Sequence, residues 1–456
     1  MKSICNLQLI VVGMMMAFLF AACQPVVNVS LTAPAQTPKS TEIPTFSPTN
    51  SAPDQTINEQ TTTAGYTHIQ PDGNRILYGT GNLPDLEPLD IQLDGVPKWI
   101  TALPYQNNTI WAVILTDNRI QTFRVNGRHV TNLFSRVENE TPPPSFLQSI
   151  DAPPHLRIVG GNPMLLQPPA TDSGATHPIM LPDNTLAFIS EQGITVGEQT
   201  ISGINPLPDA RLLQDENGRI LLLTNPTERY AHGVLGDSIE AAGITLVNTN
   251  SVLERLDTIT IPAPRVIEGI MPIWVDWNND GTREIIVTLS DRDLGAQIVL
   301  FDEQGNQLAT GLAIGQGSRW RHQLAVAPFG PNGEMELVDV LTPHIGGVVE
   351  FYQWRGDKLE IVAQVPGYTS HVIGTRNLDM AVAGDLDGNG RYQLLLPNQR
   401  RTELAAIQRT ADGAEVAWTL PIDGEMVTNL MGITLEDGML AVGLGRADGT
   451  LRVWVP

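Results

Sequence analysis

The run Asp276-Trp277-Asn278-Asn279-Asp280-Gly281-Thr282-Arg283-Glu284 places oxygen-bearing side chains at its positions 1, 3, 5 and 9, with glycine at position 6. Counting a backbone carbonyl at position 7, the residue of Thr282, this is the donor pattern of a loop for a hard cation. Ca²⁺ takes six or more oxygens at about 2.3 to 2.6 Å from a sharply bent segment. The bidentate glutamate of an EF-hand, at position 12, is replaced by Val287.

A second copy, Asp385-Leu386-Asp387-Gly388-Asn389-Gly390-Arg391-Tyr392-Gln393, repeats oxygens at positions 1, 3, 5 and 9. Its two carboxylates against the three of the first loop (Asp276, Asp280 and Glu284) predict weaker binding. A third copy, Pro328 to Glu336, keeps the Asn332-Gly333 turn but has Pro328 and Gly330 at positions 1 and 3, so it is expected to bind no metal. The alternative reading of the first two is an acidic turn that needs no ion.

Other chemistry finds no support. The chain has no Gly-x-Ser-x-Gly elbow, no His-Glu-x-x-His, no phosphate-cradling glycine loop and no cysteine cluster. Its 8 histidines are scattered without short metal-ligand spacing, which reads as surface or packing roles. Arg319-Trp320-Arg321-His322 is a basic and aromatic cluster in an acidic body. It reads as a solvated strand with one buried tryptophan, or as a contact for a sugar or an anion.

The elements that must position the loops are strands. From residue 66 onward the apolar residues come in runs of four to seven, many β-branched, closed by Asn-Gly, Asp-Gly or Pro. Two-residue hairpin turns need positive φ, which Asn, Asp and Gly tolerate, so the predicted class is all-β. Turn-then-strand units recur at Asn107-Asn108, Asp183-Asn184, Asn217-Gly218, Asp280-Gly281, Asn332-Gly333, Asn389-Gly390 and Asp437-Gly438, 330 residues in six steps with a mean of 55. Later units carry a second hairpin, as at Gly305-Asn306, Gly356-Asp357 and Asp412-Gly413. Two hairpins per repeat make a four-stranded blade, and the period is that of a β-propeller. Seven blades are expected; the uneven first steps, 76 and 34 residues, leave six or eight open. The last repeat ends at Pro456 without residues for a fourth strand, and Arg75-Ile76-Leu77-Tyr78 is expected to supply it from the other end of the chain.

The acidic loops, each followed by an apolar strand such as Ile285-Ile286-Val287, resemble the FG-GAP and VCBS repeats of bacterial surface propellers and integrin α-subunit heads. The resemblance covers roughly residues 265 to 400; the Phe-Gly and Gly-Ala-Pro landmarks of that family are absent. It implies that the loop joins two strands of a blade and holds structural Ca²⁺. That role would fall to Asp276, Asn278, Asp280, Thr282 and Glu284, and to Asp385, Asp387, Asn389, Arg391 and Gln393. Asp448 to Trp454 looks like the end of a WD repeat, and Asp412 to Trp418 like the tryptophan turn of quinoprotein propellers.

The N-terminus suggests where such a body would sit. Lys2 precedes an apolar run from Leu9 to Phe20, and Ala21-Ala22-Cys23 follows: a secretory signal over residues 1–22. Phe20-Ala21-Ala22-Cys23 resembles the lipobox of bacterial lipoproteins, which implies that Cys23 is lipidated and anchors the chain to the outer face of a membrane in the cell envelope; an ordinary signal peptide is the alternative. Two or three acyl chains hold where one binds only marginally. Residues 23–65 are rich in Thr, Pro and Ser and poor in apolar side chains, so a disordered tether is expected before a propeller over 66–456. With Cys5 removed and Cys23 blocked, no disulfide can form and the core must suffice alone.

A formal net charge of −22 repels nucleic acid and anionic headgroups, which excludes nucleic-acid binding. The expected function is a Ca²⁺-stabilised binding or scaffolding module for a protein or glycan. The alternatives are a propeller enzyme, either a polysaccharide lyase or hydrolase or a quinone-dependent dehydrogenase, and a subunit of a larger envelope assembly. Of the tryptophan turns that quinoproteins repeat, this chain matches only the one at Trp418.

Overall fold

The computed structural model describes residues 70–133, 136–137, 152–250 and 252–456, apart from 160, 161, 167, 170, 171 and 177. The expected signal segment, Cys23 and the tether lie outside the described residues. Among the described residues the one helical element is a three-residue 3₁₀ turn, Leu83–Asp85.

The strands form consecutive antiparallel meanders. Arg321–Ala327, Glu336–Leu341, Val348–Arg355 and Lys358–Pro366 make one, with each strand paired to the next. Val382–Asp385, Gln393–Pro397, Glu403–Thr410 and Gly413–Pro421 make the one that follows. Before them come Pro97–Leu133, Ile179–Ser202, Leu213–Thr260 and Val266–Thr310. Between the first two of these, Arg136–Val137, Leu156–Val159 and Asn162–Leu165 form a three-stranded sheet. This serial stacking of four-stranded units makes the fold a β-propeller.

Burial grades across each meander. Glu336–Leu341 and Gln393–Pro397, second strands, are buried on both faces almost throughout, which is why they read as continuous apolar runs. Fourth strands such as Lys358–Pro366 and Gly413–Pro421 leave several side chains in solvent. The cores lie between neighbouring meanders: Val338, Val349 and Phe351 pack with Ala383, Leu394 and Ile407. The last meander packs on the first in the same way, with Met431, Ala441 and Val453 against Ile100, Trp111 and Phe123.

The last meander borrows its fourth strand, but not from the expected segment. Leu89–Gln92 pairs antiparallel with Thr450–Trp454, whereas Ile76–Thr80 runs parallel to Val382–Asp385, the first strand of the preceding meander. The burial requirements of the two places explain the exchange. An outer strand is half-exposed, and Leu89–Gln92 buries Ile91 while Asp90 faces out to meet Arg446 and Arg452. Arg75, Ile76 and Leu77 are buried, as an inner position demands, and the Arg75 guanidinium donates to the carbonyls of Leu378, Gln323 and Leu324.

Candidate functional site

The first acidic loop joins Ile273–Val275 to Glu284–Ser290, first strand to second, and the other two copies occupy the same position in the next two meanders. The expectation that the loop links two strands of a blade therefore holds. Gly281 and Gly390 take φ of 88° and 79°, the left-handed region that the bend requires and where a side chain would be strained.

In the first loop the Asp276 carboxylate accepts the N–H groups of Asp280 at 3.0 Å and Gly281 at 2.9 Å. Asn278 Oδ1 accepts the same Asp280 N–H at 2.9 Å. The N–H and hydroxyl of Thr282 both donate to Asp280 Oδ1, holding that exposed carboxyl below its usual range. Glu284, 3 % exposed, accepts the N–H of Trp277 at 2.8 Å. Burial pushes the Glu284 carboxyl up despite that bond, and the charges of Asp280 and Asp276 add to the rise. The charges of Asp276 and Asp280 thus bear on Glu284, and a cation would relieve this.

The second loop repeats the frame. Gln393 Oε1 accepts the N–H of Leu386 at 2.8 Å, the equivalent of the Glu284 bond. Asp387 accepts from Asn389, from Gln393 Nε2 at 3.0 Å and from Trp418 Nε1 at 3.1 Å. Burial raises the Asp385 carboxyl, and its Oδ1 is buried without a hydrogen-bond partner. The Arg391 guanidinium turns away to the carbonyl of Arg409, so of this residue only the backbone remains for the loop. In the third copy, Glu334 fills the turn by accepting the Asn332 N–H at 2.9 Å. Among the described residues no three acidic or histidine side chains converge tightly enough to hold a metal ion as they stand.

At the opposite end of the meanders lies a polar assembly that the scattered histidines did not announce. Trp320, 2 % exposed, stacks on His322 with ring centroids 4.9 Å apart and on His344 at 6.1 Å, and meets His371 edge-on at 5.2 Å. His371 Nε2 donates to the Thr375 carbonyl at 2.7 Å, which leaves its Nδ1 to accept from His344 Nε2 at 2.6 Å. His322 lies between Arg75 and Ser370. Burial lowers all three: His344 to about 4, His371 to about 3, and His322 well below its usual value, with Arg75 adding to the last. Nearby, Arg211 holds Asp379 through two bonds of 2.7 and 2.9 Å across 168 positions of sequence.

The basic cluster 319–322 is therefore not a solvated strand. Apart from exposed Arg319 it is buried, and Arg321 is neutralised by Glu350 and Asp339 with Tyr352 alongside. A sequence signal for this end of the fold could have been the three polar residues Arg321, His322 and Gln323 that follow Trp320 and open an otherwise apolar run, a pattern that requires buried partners.

No family model matches the chain, and no curated protein sequence does. Among solved structures, a europium-containing methanol dehydrogenase is similar at 9 % identity with a TM-score of 0.47, over 82 % of this chain and 88 % of that one. The WD40 domain of Toxoplasma gondii coronin is similar at 8 % identity and 0.39, over 83 % and 87 %. A chain of a mitotic checkpoint complex is similar at 11 % identity and 0.39, over 81 % and 96 %.

Proposed function

We propose that this β-propeller is a non-catalytic binding or scaffolding module, stabilised by Ca²⁺ in its 276–284 and, more weakly, 385–393 loops. In this reading Cys23 carries a lipid anchor, residues 23–65 serve as a tether, and the propeller over 66–456 is held at the outer face of a membrane in the cell envelope. The observation that carries it is the repeated loop frame. Two loops in equivalent hairpins each use the ninth side chain, Glu284 or Gln393, to accept the N–H of the second residue, gathering Asp276, Asn278, Asp280 and Glu284 in one and Asp385, Asp387 and Asn389 in the other. Thr282 and Arg391 would contribute their carbonyls, as position 7 does in such loops.

Such calcium is structural, because each loop supplies most of its own ligands. The binding surface is then the other end. In a four-stranded meander the first-to-second turn lies opposite the second-to-third turn and the connection to the next unit. Leu312, Ile345 and Ile373 sit in such connections and are 72 %, 82 % and 63 % exposed. Exposed apolar side chains on neighbouring loops suit a protein or glycan partner.

Calorimetric titration of Ca²⁺ into chelator-treated protein, with melting curves alongside, tests the reading. Binding that raises the melting temperature, weakened by Asp280→Ala and less by Asp387→Ala, supports it. Absence of binding at millimolar Ca²⁺ reduces the loops to ordinary acidic turns.

A further inference from the structure

The first strands of the meanders surround an axis, and at the acidic-loop end the chain's own residues 71–80 cross it. The Pro71 carbonyl accepts the N–H of Gln214 at 2.8 Å, the Asp72 carbonyl that of Trp274 at 2.9 Å and the Arg75 carbonyl that of Ala383 at 2.9 Å. The Asn74 carboxamide bonds both the N–H and the carbonyl of Val326, and the Thr80 N–H donates to the Gly438 carbonyl at 2.9 Å. These partners lie in the first strands of five successive meanders or in the turns that end them, so the segment is a strap across that end. Arg75 reaches from it into a cavity of about 10 Å³, room for one water molecule. Glu268, Met271, Trp320, His322 and Leu378 also line this cavity.

At the opposite end, the connection between Arg219–Thr227 and Glu240–Asn248 lies over that lining. Residues 228–239 are more than the two to five usual in a hairpin loop, and long loops on a rigid scaffold are often lids. Val234 and Leu235 are buried in the same cluster as Met271, Trp320 and Leu378, and His232 Nδ1 is bonded to Glu268. The loop is also tied across the axis to the connection that follows the 321–366 meander. The Gly374 N–H donates to the Val234 carbonyl at 2.9 Å, and Arg376 holds Asp237 of the loop at 2.5 Å together with Asp209 at 2.7 Å.

Closure strands one polar group. Tyr230, in the same loop, is 6 % exposed, and its hydroxyl has no hydrogen-bond partner. A buried hydroxyl without a partner opposes the closed position, and water would satisfy it once the loop lifts. The ties to Gly374 and Arg376 can likewise be exchanged for water at small net cost. Burial of Val234 and Leu235 is then the main force that closes the loop, against the stranded hydroxyl of Tyr230.

We propose that residues 228–239 are a lid, which opens while the sheets stay folded and exposes the axial cavity to solvent at the face opposite the acidic loops. With the strap across the other end, the lid controls the way in. Lifting Val234 and Leu235 adds the space of two aliphatic side chains to a cavity that holds one water, and brings Trp320 and His322 within reach of a small molecule from solvent.

The test is native-state hydrogen exchange of the intact chain, read by peptide mass spectrometry in urea below the unfolding transition. Peptides covering 228–239 and 371–377 are expected to exchange at a rate that urea does not change. The strand Leu221-Leu222-Leu223 opens only with the whole fold, so its exchange accelerates with urea. Arg376→Gln, which removes a tie, is expected to speed lid exchange about fivefold; Tyr230→Phe, which removes the stranded oxygen, is expected to slow it about fivefold. Arg355→Gln breaks an exposed ion pair with Glu360 away from the lid and should leave lid exchange unchanged. Labelling with diethyl pyrocarbonate reads access to the cavity: His322 is expected to react faster in Arg376→Gln, while His155, buried elsewhere, does not. The proposal is overturned if the lid peptides exchange only with global unfolding, or if the variants shift the lid and Leu221-Leu222-Leu223 alike. It is overturned as well if His322 labelling stays level while lid exchange rises.

Discussion

Glu284 closes the first acidic loop by accepting the N–H of Trp277 at 2.8 Å while facing the charges of Asp276 and Asp280. Because burial and those charges raise its carboxyl, the folded chain binds a proton there more tightly than the unfolded chain. Stability from this group is therefore full below the unfolded pKa and is lost as pH rises through the folded one. Glu284→Gln keeps the acceptor for Trp277 and removes the repulsion. In chelator at neutral pH it is expected to melt at or above the parent temperature, and with Ca²⁺ to lose most of the metal-induced rise. A large rise retained in the variant would remove Glu284 from the ligand set.

Gly443 lies against Trp111 where the last and first meanders pack. A Cβ at Gly443 would sit 2.4 Å from the indole, and Trp111 is fully buried. Gly443→Ala is expected to destabilise by about 1 to 3 kcal/mol through overpacking. Gly311→Ala is the control: its nearest neighbour would be at 3.6 Å, an ordinary contact. Denaturant melts of the two variants check the difference.

The strand Leu89–Gln92 should matter more than its length suggests. Ile91→Ala removes a buried side chain, 7 % exposed, from the core shared with Leu451 and Val453. Destabilisation of about 2 kcal/mol is expected, the low end for such truncations because the strand lies at a sheet edge. Substituting exposed Leu312 should leave the melt unchanged. Equal effects would mean that Leu89–Gln92 does not secure the last sheet.

His322 and His371 are buried neutral, with folded pKa values depressed by desolvation. Their contribution is present above the unfolded pKa of about 6.5 and lost as pH falls below it, because only the unfolded chain then takes up the protons. Between pH 7 and 5 His371, with its folded value of about 3, is expected to remove about 2 kcal/mol. His371→Asn should flatten that pH dependence of the melting temperature. The same slope in parent and variant would place the acid sensitivity elsewhere.

Local pattern alone was enough for the class, the turns and the two loops. Asn, Asp and Gly at positive φ are demanded by hairpins whatever surrounds them, and Ile285-Ile286-Val287 reads as a buried strand because the run is short, β-branched and preceded by the Asp280-Gly281 turn. The loop frame was legible too, since its donors and acceptors all lie within nine residues. Arg391 shows the limit: its position was readable, but the direction of its side chain depends on Arg409, eighteen residues on.

What the tertiary structure decided are the long-range partners. Leu89–Gln92 rather than residues 75–78 completes the last sheet, because the choice rests on which strand can leave a face in water and which must be buried with Arg75. Trp320, His344 and His371 meet from the connection before the 321–366 meander, a turn within it and the connection after it, and His232 and Glu268 meet from two successive meanders. A side chain's partner in a propeller is set by how successive sheets stack, and no periodicity along the chain records which polar residues that stacking will bury together.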